Sequence, residues 1–178
     1  MKKIIAALMT AILMLTACTC CFAEEAAPKQ INWSDYTEAA SKVDGKLLAV
    51  SSIGLDMFVP AGFVDQPLDD AAIAGGKFLL LKAEDNSVVV TGLTLPVEFD
   101  SLGSVMANNG ATEITPVVLN NRRAVNFNLH TDGLLTPCVA MATDQGATLM
   151  FSFTLVDPSN ANSVQLVKLM AASLQTSK

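Results

Sequence analysis

The chain has 178 residues, 51% of them hydrophobic and 16% charged, with a formal charge of −6. That composition excludes a disordered chain and fits one domain with a core of its own. Removing Lys2 and Lys3 with an N-terminal export signal leaves −8, a surface repelled by nucleic-acid phosphates, so nucleic acid is excluded as a partner.

Met1-Lys2-Lys3 is a short positive segment, residues 4–15 are uncharged and apolar, and small residues follow. This is the layout of a secretory signal. Two cleavage readings stay open. Cys21-Phe22-Ala23 before Glu24-Glu25 fits signal peptidase I, giving an export signal over residues 1–23. Leu15-Thr16-Ala17-Cys18 matches the bacterial lipobox, in which Cys18 is lipidated and becomes the new N-terminus. A third reading is an uncleaved anchor, because residues 4–23 are just long enough to span a bilayer. The expected location is extracytoplasmic, either released or lipid-anchored, with membrane contact only through that N-terminal anchor.

Three of the four cysteines, Cys18, Cys20 and Cys21, fall in this segment. Their spacing is read as part of the export signal and not as a metal motif. Cys138 remains for the folded domain, and alone it makes no internal disulfide.

Residues 24–31 read as an acidic, alanine-rich linker. Asn32-Trp33-Ser34-Asp35 offers helix caps, and Tyr36, Ala39, Ala40 and Val43 recur at helical spacing up to Gly45. Linker and N-terminal helix thus occupy residues 24–45, and residues 46–178 form a single α+β domain.

From Lys46 the period changes to two. Residues 46–52 and 55–59 read as strands, and a short helix fits within 65–74. Residues 77–83 and 87–95 flank the hairpin signal Glu84-Asp85-Asn86. Asp100 offers a cap to a helix carrying Leu102, Val105 and Met106 inward, ended near Asn109-Gly110. Strands follow over 113–119, 123–130, 134–143 and 147–155, and a closing helix over 160–174 places Val164, Val167, Ala171 and Leu174 on one stripe. The expected fold is one antiparallel, meander-like sheet of about seven or eight strands flanked by helices, the last of them C-terminal.

Turn lengths give a register for the last three strands. Read as a three-residue turn, Thr131-Asp132-Gly133 pairs Val125 with Val139, Phe127 with Pro137 and Leu129 with Leu135. Asp144-Gln145-Gly146 then pairs Val139 with Phe151, Pro137 with Phe153 and Leu135 with Leu155. One face becomes continuously apolar. The opposite face carries Asn126, Cys138 and Ser152 in one row and Asn128, Thr136 and Thr154 in the next, with His130 at its end. Asn126, Asn128, His130, Thr136, Cys138 and Ser152 are therefore the candidate ligand-binding residues. A solvated or closely covered sheet face accounts for the same pattern.

The segment Leu55-Asp56-Met57-Phe58-Val59-Pro60-Ala61-Gly62-Phe63 resembles the early strand end of the PsbP-like fold, typified by an extrinsic protein of photosystem II. The order of strands, internal helix and closing helix resembles it too, over residues 46–175. The resemblance implies a sheet flanked by helices and a non-catalytic accessory or assembly role. It carries over no functional residue. The chain also looks like small uncharacterised secreted proteins of anaerobic Gram-positive bacteria, which adds no activity.

The sequence has one His and lacks the GxSxG, HExxH and phosphate-loop signatures. No catalytic residue, metal ligand or cofactor is assigned. Asp132 reads as a turn residue, and Asp65, Asp69 and Asp70 read as helix N-terminal residues. Arg122 and Arg123 point to opposite sheet faces and make no joint clamp. Trp33 and Tyr36 are expected to dock the first helix. The expected function is a non-catalytic extracytoplasmic module that binds a protein or small ligand, or assists an envelope process. The alternative is a small exported enzyme with a site near Cys138 and His130.

Overall fold

The computed structural model describes residues 27–177 apart from Ser51, Asp144 and Gln145. The expected export signal with Cys18 lies outside the described residues, as do Asp144 and Gln145 of the expected last hairpin turn. No helix of the described residues is long and apolar enough to cross a membrane.

Among the described residues, eleven strands form two sheets. The larger contains β1 (Lys29–Ile31), β4 (Phe63–Asp65), β5 (Lys77–Ala83), β6 (Val88–Leu95), β7 (Thr112–Leu119), β8 (Arg122–Thr131), β9 (Leu134–Ala142) and β10 (Thr148–Leu155). Its order is β1-β7-β8-β9-β10-β6-β5-β4. The smaller joins β2 (Gly45–Val50), β3 (Leu55–Pro60) and β11 (Gln175–Thr176), in the order β11-β3-β2. The α-helices of the described residues are α1 (Thr37–Ala40), α2 (Asp70–Ala74), α3 (Leu102–Asn108) and α4 (Ala161–Ala172).

The α+β class and the C-terminal helix agree with the sequence reading, with two differences of topology. β1, within the segment read as a linker, pairs parallel to β7, so the large sheet is mixed and not purely antiparallel. The strands β2 and β3 leave the expected single sheet and form their own with β11. The expected first helix shrinks to a 3₁₀ turn (Trp33–Asp35) and the single turn α1, and Asn32 makes no side-chain cap. Asp69 does cap α2, accepting from the Ala72 N–H at 2.7 Å. Asn160 caps α4 through the N–H groups of Asn162 and Ser163.

Both faces of the large sheet are covered. On the first, Val117, Leu119, Ala124, Val139, Met141, Leu149, Phe151, Phe153 and Leu155 meet Leu55 and Met57 of β3 and Val167 and Met170 of α4. Phe78 lies edge-on to Phe151 with ring centroids 5.6 Å apart. Gly92 makes room for that ring: a Cβ there would sit 2.4 Å from Phe78. On the second face, Val125, Phe127, Cys138, Ala140 and Met150 pack with Leu102 of α3.

The small sheet and α4 are tied together by polar contacts. Ser173 accepts from the Phe58 N–H at 2.7 Å and donates to the Met170 carbonyl at 2.7 Å. Trp33 docks beside Phe58, with Ala40 and Leu169 completing a third cluster.

The β8–β9 register corrects the expectation by one residue. Thr131 pairs with Leu134, leaving a two-residue turn in which Asp132 (φ 52°) and Gly133 (φ 80°) both take positive φ. Asp-Gly suits such a type I′ turn, whose twist matches that of the strands. Val125 therefore pairs with Ala140, Phe127 with Cys138 and Leu129 with Thr136. The β9–β10 register matches the expectation from Ala142 to Cys138, including Val139 with Phe151. The ladder stops before Pro137, which has no N–H to donate.

Candidate functional site

The one-residue slip divides the expected polar rows. Because side chains alternate, Asn126, Asn128 and His130 share the first face with Ala124, whereas Thr136, Cys138 and Ser152 lie on the second. Thr136 and Thr154 do remain together, their hydroxyls 3.3 Å apart. Ser152 donates towards the Thr91 carbonyl at 3.5 Å.

Cys138 is 2% exposed in the second-face core, and its thiol donates to the Thr136 carbonyl at 3.4 Å. Burial pushes its pKa up to about 12, so at neutral pH the thiol stays protonated and is not a nucleophile. His130 is exposed at the far end of β8, on the other face. The Cys138–His130 pair that an enzymatic site would need is not formed. Among the described residues no group of three or more His, Cys, Asp or Glu could hold a metal ion.

The first face is open beside α4. α4 crosses the sheet but leaves a cleft towards the β1 edge, with sections of about 380 and 270 Å³. Its floor is apolar, made by Val117, Leu119, Val139 and Phe153, with Val167 and Ala171 of α4 as one wall. Lys29 of β1 and Lys168 of α4 border both sections. Both lysines are exposed, and neither has an ion-pair partner among the described residues.

Asn126 reaches both sections from the floor, and its half-buried amide has no hydrogen-bond partner among the described residues. Asn128, one pleat further along β8, donates to Glu113 at 2.7 Å. Glu113 sits where the β7–β8 register shifts and takes a positive φ of 54°. Such an irregularity bends a strand and re-aims its side chains, and a left-handed non-glycine residue costs of order 1 kcal/mol. Here it brings the Glu113 carboxylate to the mouth of the cleft.

Three of the six expected residues, Asn126, Asn128 and Cys138, thus border one cleft, Cys138 with its thiol turned into the second-face core, and His130, Thr136 and Ser152 do not join them. Lys29 and Lys168 were missed, since no local pattern links residues so distant in sequence. The arginines separate as expected: Arg123 lies over the Phe99 ring at 5.2 Å and pairs with Asp100, whereas Arg122 donates to Thr176 at 3.1 Å. A larger hollow of about 580 Å³ beside Arg122 is rich in hydroxyls, but that guanidinium is already committed to Thr176 and the Ala142 carbonyl.

The chain has the PsbP-like fold. A cyanobacterial PsbP (CyanoP) from Synechocystis sp. PCC 6803 superposes with a TM-score of 0.57 at 10% identity, over 75% of this chain and 93% of that one. A protein from Bacteroides thetaiotaomicron gives 0.49 at 14% identity, over 76% of this chain and 49% of that one. LpqN of Mycobacterium tuberculosis, described as involved in cell envelope biogenesis, gives 0.43 at 11% identity, over 83% and 98%. No family model matches the chain, and no curated protein matches it.

Proposed function

We propose that this chain is a non-catalytic extracytoplasmic module that binds a ligand or partner through the cleft between α4 and the β1 edge. One observation carries the reading. Two lysines and an amide, none with a partner among the described residues, converge over an apolar floor, in a chain whose formal charge is −6. Sites that bind small molecules have this make-up, an apolar lining with few polar groups that fix orientation. The extracytoplasmic placement rests on the export signal read in residues 1–23. The PsbP-like resemblance supports a non-catalytic role, and the separation of Cys138 from His130 removes the support for the enzymatic alternative.

Asn126→Trp fills the cleft without touching the second-face core. Native mass spectrometry of the processed protein, purified gently from its own envelope, should show a bound species that the Asn126→Trp variant lacks. Circular dichroism should confirm that the variant is folded. The same species on both proteins, or none on either, would remove the cleft as the binding surface.

A further inference from the structure

We infer that the cleft takes an amphipathic anion, an apolar chain ending in a carboxylate; this rests on the binding role proposed above. The chemistry follows from the lining. Val117, Val139 and Phe153 offer an apolar bed, which favours burial of an alkyl chain. The charged groups at the mouth are Lys29, Lys168 and Glu113. Glu113 already accepts from Asn128, whereas both lysines are unpaired among the described residues. The net local charge is positive in a chain that is negative overall, and Asn126 adds an amide N–H₂ able to donate to a carboxylate oxygen.

The sign of the overall charge makes a sharp test possible. An acidic protein attracts cations at long range and repels anions. Preference for an anionic headgroup can therefore come only from a local cationic site. The processed protein is titrated calorimetrically, in low salt, with decanoate, with decyl glucoside as the uncharged control and with decyltrimethylammonium as the cationic one. Decanoate should saturate the protein below about 1 mM and bind more tightly than either control. Lys29→Glu/Lys168→Glu should weaken decanoate at least about tenfold, whereas Lys46→Glu/Lys82→Glu, with the same change in net charge, should not.

Equal or tighter binding of either control, no saturation by decanoate, or equal weakening by both lysine pairs would overturn the inference. If decanoate fails while the species sensitive to Asn126→Trp persists, the ligand class is wrong and the binding role stands. If both fail, the cleft carries neither.

Discussion

Phe151→Ala lowers the free energy of unfolding by about 3–5 kcal/mol, read from the shift of the urea midpoint at constant slope. Phe151 is 0% exposed and belongs to the largest core cluster among the described residues. Truncation leaves a cavity between the large sheet and its cover, and the surroundings cannot close it. The backbone beneath is fixed by ladders on both sides, to Val139 and to Gly92. The Phe78 ring would also lose its edge contact. A loss below about 1 kcal/mol is the outcome of a surface position and would contradict a core at Phe151.

Asn120→Ala is the second large effect, a loss of about 3 kcal/mol from three hydrogen bonds each worth roughly 1. The Asn120 carbonyl accepts from the Trp33 N–H at 2.6 Å. Its amide donates to the Ala172 and Leu174 carbonyls at 2.9 and 2.8 Å. One side chain thereby fastens the entry of the chain, the β7–β8 turn and the end of α4. Asn120 also takes φ 47°, which asparagine tolerates better than alanine. Asn120→Gly separates the two causes in the same urea experiment. It relieves the turn but loses the bonds, so the loss should persist. Recovery of wild-type stability in the glycine variant would show that the bonds contribute nothing.

Much of the fold was legible in local chemistry. Asn120-Asn121 and Glu84-Asp85-Asn86 announce hairpins by residues that accept positive φ, and Asn160 and Asp69 announce helix starts. The Asp132-Gly133 turn was equally legible, since Asp-Gly is a strong signal for a two-residue loop. Including Thr131 in it moved every β8 side chain to the wrong face, because strand period is two. β1 could not be read: Lys29-Gln30-Ile31 has no periodicity, and only the edge of β7 makes it a strand. The separate sheet depends on Gln175 meeting Asp56, a pairing between opposite ends of the folded region. The cleft was half legible for the same reason. Asn126 and Asn128 stand out as polar residues in an apolar strand, but Lys29 and Lys168 become neighbours only when β1 and α4 are placed.

The proposed ligand meets the first face, beside α4, while α3 covers the second face. Photo-cross-linking in the native envelope tests this most directly, with a photoreactive residue at position 128 in one variant and at position 104 in another. Asn128 lines the cleft, and Ser104 is exposed on α3 over the second face. A discrete adduct is expected from position 128, lost when Asn126→Trp is added, and none from position 104. An adduct from position 104 alone, or one from position 128 that survives Asn126→Trp, would contradict it.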